Sequence, residues 1–386
     1  MAEISEVKKF ILGLSDKEIM TLLGMVDKKK HISATGSSSG TAWYDKPLSG
    51  LDKEGERNLE DLKKQLNNPA TSHNVDRKQI RYLNQLKRMH MKVPSFFHNK
   101  IEPKALYKHL VNFCKSNDIP EEIVVRVVPH LITYIETGHM RPMIFVGEKG
   151  CGKTTAVKLL VEEGLKIPTE EIKIPQIDGS HGMTGDCGTY KYADVGCISR
   201  ARLRAGYLII AYLFDEIDKA SHDHNRSCVD DELLSITDES CANVVDNYLE
   251  TTLVGLEHCP MFFTANDLQK VSPILVDRCT VIRFPNANES RIKSISRKYV
   301  DKQLTGNLYS MIRFNYELME KHIEILVQHN VTSIRKHQQV IESVLGNALN
   351  LALVSETDDV VNVTEAMFVD AEQSVLGTEK RRVGFC

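Results

Sequence analysis

One run in this sequence has the glycine and lysine spacing that phosphate chemistry needs. Gly147 to Thr154 reads GEKGCGKT, an apolar stretch Met143 to Val146 precedes it, and TAVKLLVEEG follows at once. Glycines at 147, 150 and 152 let backbone N–H groups close around phosphate oxygens in conformations a side chain would obstruct. The predicted nucleotide loop comprises Gly147, Glu148, Lys149, Gly150, Cys151, Gly152, Lys153, Thr154 and Thr155. Lys153 serves as a point charge toward the β and γ phosphates, and the Thr154 hydroxyl is placed for Mg²⁺. N–H groups at the start of the following helix add partial positive charge at the same place. A chance glycine turn would lack the strand before it and the helix after it.

A second constellation lies downstream, where the apolar run Leu208 to Phe214 ends in DEID. Acids at the carboxyl end of a buried strand sit where open α/β sheets bind their ligands. Asp215 is suited to hold Mg²⁺, and Glu216, one residue further, to polarise the water that attacks a γ-phosphate. Apolar runs ending in acids are common, so the assignment draws its strength from the phosphate loop upstream.

Positioning these groups requires a parallel sheet, and the pattern of apolar strand, glycine loop and amphipathic helix from about residue 101 to 285 predicts one. The expected fold class is an α/β P-loop NTPase with a C-terminal helical lid and a helical N-terminal region. Residues 1–100 read as helical stretches at 4–28, 50–66 and 74–91, with a Gly/Ser linker at His31 to Trp43. Residues 286–386 read as a helical lid, with helices at 290–302, 317–329 and 333–352, then a short strand at Val360 to Val363 and a last helix.

Composition excludes several classes. Hydrophobic residues at 42%, charged residues at 26% and a net charge of -3 rule out a disordered chain and name no polyanionic partner. The longest apolar run, Tyr207 to Phe214, is far short of the roughly 20 residues a membrane span needs, and the acidic start is unlike a signal peptide. The expected location is the cytoplasm. Nine cysteines without a CxxC pair read as reduced thiols.

Three further segments complete a pattern: PMFFTAND with Asn266, SPILVDRCTVIRF with Arg278, and SIRKHQQVIESVL with Arg335. Together with LFDEIDKAS, DELLSITDES and DNYLE in the same order, they resemble the AAA+ module of the Lon family from about Pro142 onward. The resemblance does not extend to the first hundred residues. It implies ATP and Mg²⁺ as ligands, with Asn266 as a polar sensor orienting the water. It also implies that Arg278 is an arginine finger acting on the neighbouring subunit, and that Arg335 is a lid arginine sensing the γ-phosphate. Such a module is expected to be an ATPase and to work as a homo-oligomeric ring, a hexamer, on a protein substrate. The serine–lysine protease domain that follows in Lon has no counterpart in the residues after VNVTEAMFVDAEQSVLG, so peptidase activity is not expected here.

In the Lon family a substrate-gripping loop lies between the two nucleotide motifs, and the matching stretch is GTYKYADVGCISRARLRAG. Tyr192 and Val195 are the candidates for gripping a chain, with Tyr190 an alternative. Asp194 interrupts the expected aromatic-aliphatic-glycine triplet, and the alternative is that Tyr190 and Tyr192 are strand residues packing on the core. A second function remains open. Arg77, Lys78, Arg81, Lys87, Arg88, Lys92 and Lys100, interleaved with Tyr82, Phe96 and Phe97, could bind nucleic acid or an acidic protein partner, or form a solvated helix face. That alternative is a nucleic-acid-linked ATPase or an ATP-controlled assembly switch. His222, Asp223 and His224 read as a solvated turn more readily than as metal ligands.

Overall fold

The computed structural model describes residues 43, 49–89, 93, 102–177, 179–187, 192–220, 229–238, 244–305, 307–355 and 360–380. The expected helix at 4–28, most of the Gly/Ser stretch, Tyr190, His222 to His224, Lys92, Phe96, Phe97 and Lys100 lie outside the described residues. The chain divides into two compact units, Met1–Asp45 and Lys46–Cys386. Only Trp43 is described in the first, and every element named below lies in the second.

Helix α1 (Lys53–Asn67) opens on Asp52, whose carboxylate accepts the Gly55 N–H at 2.7 Å. Helix α2 (Arg77–Lys87) opens on Asp76, which accepts the Lys78 N–H at 2.8 Å, and buries Ile80, Leu83 and Leu86 at helical spacing. Helices α3 (Pro103–Ser116) and α4 (Glu121–Thr137) follow, α4 stopping at Gly138, which takes the left-handed conformation of a C-terminal cap.

The chain then enters the sheet with β1 (Met143–Val146), α5 (Lys153–Lys158), β2 (Thr169–Lys173), α6 (Gly179–Thr184), α7 (Cys197–Ala205) and β3 (Ala211–Asp215). After α8 (Val229–Ile236) come the paired short strands β4 (Val245–Asp246) and β5 (Thr251–Thr252), then β6 (Met261–Ala265), α9 (Pro273–Arg278) and β7 (Thr280–Arg283). Five strands make one sheet in the order β2-β3-β6-β1-β7, with every pair parallel. Strands β1 and β6 are buried along their whole length, as expected where helices cover both faces. This is the parallel α/β sheet expected from the sequence. The helix after the phosphate loop differs in detail, because it widens into π-helical turns over Leu159–Gly164.

Beyond the sheet lie α10 (Glu289–Leu304), β8 (Ile312–Arg313), α11 (Tyr316–Gln328), α12 (Ile334–Val354), β9 (Val361–Asn362) and α13 (Glu365–Lys380). Their apolar faces form a core of their own, with Ile292, Val300, Met319, Ile323, Val344, Leu345 and Phe368 among its members. The strand expected near residues 360–363 exists as β9, and it pairs in parallel with β8, a two-residue segment with no periodicity to reveal it.

Candidate functional site

Three adjacent strands bring the chemistry together. Val146 of β1 stands beside Ala265 of β6, and Phe214 of β3 stands beside Phe263 on the other side of β6. The loop after Val146, Asn266 after Ala265, and Asp215 at the end of β3 therefore emerge at one edge of the sheet. Chains leave this edge in opposite directions, which makes a crevice at the carboxyl ends of the strands.

The side chains close on one another there. Thr154 Oγ1 donates to Asp215 Oδ1 at 2.8 Å, and Thr264 Oγ1 donates to the same oxygen at 2.5 Å. Lys153 Nζ donates to the Gly147 carbonyl at 2.7 Å, the Glu148 carbonyl at 2.9 Å and Asn266 Oδ1 at 3.1 Å. Its three N–H donors thus tie the loop to the end of β6. Lys153 is 7% exposed. Burial pulls its pKa down, while Cys151, Asp218, Asp215 and Glu216 oppose that pull.

The loop's glycines are used for their conformation. Gly150 has φ 83° and Gly152 φ 101°, both in the left-handed region. A Cβ at Gly150 would also stand 2.2 Å from Ser333 Oγ. Glu148, Lys149 and Thr155 are exposed on the rim, and burial holds the Cys151 thiol above its usual pKa range.

Glu216 adopts φ 60° and ψ 48°, uncommon for a residue with a side chain. Its N–H donates to Thr264 Oγ1 at 3.0 Å, and its carboxylate meets Lys219 Nζ at 2.6 Å. One hydroxyl, that of Thr264, thereby links both acids of the second motif. Thr264 was not singled out in the sequence, although a polar residue inside FFTAND is a visible signal. Asp218 was also passed over; its Oδ2 lies 3.5 Å from Asn266 Nδ2, and its Oδ1 is buried without a hydrogen-bond partner.

The two arginines fall in different places. Arg335 is exposed in the first turn of α12, and its Cβ would lie 3.4 Å from a Cβ at Gly150, so it stands beside the phosphate loop. Arg278 ends α9 and donates through Nη1 to the Leu234 carbonyl. Thr280 pairs with Met143, the first residue of β1, so Arg278 lies at the opposite edge of the sheet from the loop that follows Val146.

The predicted gripping pair divides. Tyr192 is 85% exposed, which sets aside the core-packing reading for this tyrosine. Val195 is 2% exposed, and the gripping role expected of it is corrected: it packs inside the protein, and its N–H donates to Asp194 Oδ1 at 2.8 Å. Asp194, the residue that breaks the triplet, meets Lys78 Nζ at 2.9 Å and Arg200 Nη2 at 3.3 Å. Burial raises its pKa, but Lys78, the Val195 N–H and Arg200 outweigh burial and hold it below the usual carboxylate value. The basic stretch is accordingly less free than its composition implied. Lys78 is paired with Asp194 and Lys87 with Glu56, while Arg77, Arg81 and Arg88 are exposed.

Among the described residues no helix is long and apolar enough to cross a membrane, and no cluster of three or more His, Cys, Asp or Glu side chains could hold a metal. The Mg²⁺ ligands under consideration are of another kind, a hydroxyl and a carboxylate at the phosphate loop. Thr154 and Asp215 fit a hard cation that takes oxygen ligands and keeps part of its water shell.

Comparison with known proteins follows the same residues. A family model described as "ATPase family associated with various cellular activities (AAA)" matches residues 143–286. A "Lon protease" of Porphyromonas gingivalis is 30% identical over 210 residues, 53% of this chain and 24% of that protein. A "Lon protease homolog" of Acanthamoeba polyphaga mimivirus is 28% identical over 165 residues, 42% of this chain and 16% of that protein. The chain spans a quarter or less of the length of these two relatives. Among solved structures, the S. cerevisiae Hsp104:casein complex in its extended conformation matches with a TM-score of 0.53 at 15% identity, covering 68% of this chain and 50% of that one. At that identity the likeness is one of fold.

Proposed function

We propose that this chain, whose residues 143–286 form a Lon-like AAA+ module, is an ATP-hydrolysing motor that works as a ring and pulls on or remodels a protein partner. The observation that carries the reading is the convergence of Lys153, Thr154, Asp215 and Asn266 at one sheet edge. Asp215, Glu216 and Asp218 surround the buried Lys153 ammonium, so a polyphosphate would meet net negative charge there. Thr154 and Asp215 would hold Mg²⁺, which supplies the charge neutralisation that β and γ oxygens need when the phosphoryl group is transferred.

Lys153 and the loop amides bind and orient the phosphates. Glu216 takes the proton of the attacking water, and Asn266, tied to Lys153 on one side and facing Asp218 on the other, fixes where that water sits. Arg278, at the far sheet edge of its own subunit, serves the site of a neighbour, which makes turnover depend on assembly. Arg335 reports the γ-phosphate to the helices after residue 286. On this reading residues 1–100, 101–285 and 286–386 are the helical appendage, the nucleotide-binding domain and the lid, and peptide cleavage is no part of their function.

Steady-state ATP turnover tests the proposal, measured alone and with either a carboxymethylated, permanently unfolded protein or single-stranded DNA. Stimulation by the unfolded protein is expected, without release of small peptides from it. Stimulation by DNA alone would move the function to a nucleic-acid-linked ATPase, with exposed Arg77, Arg81 and Arg88 as the first contacts to test. Tyr192→Ala is expected to raise the unfolded-protein concentration needed for half-stimulation by on the order of 10-fold, as loss of an aromatic anchor does. Its basal turnover should stay unchanged, and equal stimulation of both proteins would remove Tyr192 from the grip.

Thr264→Val tests the second motif from behind. The valine keeps the shape but removes the hydroxyl that holds Asp215 and the Glu216 N–H. On the order of 10-fold more Mg²⁺ should then be needed for half-maximal turnover. An unchanged Mg²⁺ titration would mean that Asp215 is oriented without Thr264.

A further inference from the structure

The phosphate loop is gripped from outside by two groups that belong to the C-terminal helices. The Ile334 N–H donates to the Gly150 carbonyl at 3.0 Å. Arg291 Nη1 donates to the Cys151 carbonyl at 3.2 Å. Arg291 stands in the first turn of α10, its own N–H accepted by the cap residue Asn288 at 2.9 Å.

A second nitrogen of the guanidinium is held as well. Nε donates to the Asp118 carbonyl at 2.8 Å, and the group lies 5.3 Å from the centre of the Phe284 ring. Asp118, in the turn between α3 and α4, accepts from Ser294 Oγ at 2.8 Å and from Lys298 Nζ. Arg291, Ser294 and Lys298 are spaced three and four residues apart, so α10 presents all of them on one face. The result is a bracket that runs from α10 through the Asp118 turn to the phosphate loop.

A half-buried guanidinium that directs two of its donors to backbone carbonyls is a costly way to fill space. Burial lowers its pKa even though Cys151 and Asp118 favour the charge. What this arrangement achieves is directional. In a trans peptide the C=O and the next N–H point oppositely. Holding the Cys151 carbonyl outward therefore turns the Gly152 N–H inward, toward the space where phosphate oxygens are expected. The Ile334 contact fixes the peptide between Gly150 and Cys151, whose N–H closes the loop on the Glu148 carbonyl at 3.4 Å.

We propose that Arg291 is a positioning residue for ATP: it orients the Cys151–Gly152 peptide for phosphate and so makes the grip on nucleotide depend on where α10 stands. The inference rests on the ATP reading of the site and adds a route by which the C-terminal helices control affinity. It differs from the sensing role of Arg335, because Arg291 acts through the loop backbone and not on the nucleotide.

The test compares the unsubstituted protein with Arg291→Ala and Arg291→Lys, using a fluorescent ATP analogue for affinity and steady-state kinetics for KM and kcat. Arg291→Ala is expected to raise both the Kd and KM by on the order of 10-fold, the loss typical of a hydrogen bond from a charged group. The kcat at saturating ATP should change far less. Arg291→Lys, which keeps the charge but carries its donors on a single nitrogen, should recover part of the affinity. Should Arg291→Ala lose its helical circular dichroism, Arg291→Lys carries the comparison, with an intermediate Kd expected. Unchanged Kd in folded variants, or a fall in kcat at unchanged Kd, overturns the inference and leaves the ATP reading standing. Failure of the unsubstituted protein to bind the analogue overturns both.

Discussion

Arg278→Ala is expected to lose ATP turnover by about 10³-fold or more, the effect of removing an arginine finger in other nucleotide hydrolases, while ATP still binds. The expectation comes from geometry. Arg278 lies just before Thr280, which pairs with the first residue of β1, whereas the phosphate loop follows the last. It therefore stands at the wrong edge of the sheet to serve its own site, and on the proposed reading it serves a neighbour's. Mixing provides a decisive form of the test. A Lys153→Ala subunit has an inert site but an intact Arg278, and an Arg278→Ala subunit has the reverse. Each alone should be inactive, and a mixture should recover turnover where the two meet. Normal turnover by Arg278→Ala, or no recovery on mixing assembled subunits, would sink the trans assignment. Loss of the hydrogen bond to the Leu234 carbonyl is a separate and smaller matter, about 1 kcal/mol of stability.

Glu216→Gln should keep nucleotide and lose chemistry. The amide preserves size and can still meet Lys219 through its oxygen, but it cannot take a proton from water. A drop in kcat of about 10²- to 10⁴-fold is expected for losing a positioned general base, with ATP affinity unchanged. The backbone sharpens this expectation. Glu216 is held in a left-handed conformation, with its N–H on the Thr264 hydroxyl. Strain of that kind persists only where surrounding structure enforces it, and here the strand that Asn266 directly follows supplies a contact that does so. Single-turnover measurements separate the possibilities. A slow step after normal binding supports Glu216 as the base, whereas normal single-turnover rates would assign the proton transfer elsewhere.

The sequence by itself determined the chemistry of the loop and the class of fold. GEKGCGKT between an apolar strand and a helix, and a second strand ending in DEID, are local patterns, because strand, turn and helix propensities act over a few residues. The parallel sheet expected from them is observed, with five strands. Elements with weak local signals were the ones missed. Strand β2, TEEIK, is polar because it lies at a sheet edge, and β8 is two residues long. Only the tertiary structure decided which distant side chains meet. Strand order places β6 between β1 and β3, so Thr264 reaches Asp215 and Asn266 reaches Lys153. Burial separated Tyr192 from Val195 although three positions divide them, since one faces solvent and the other the core. The same holds for Arg291, whose value lies wholly in contacts with Asp118 and Cys151, residues more than a hundred positions away. Periodicity reports which face of an element is apolar, but the partner of that face depends on the packing of the whole chain.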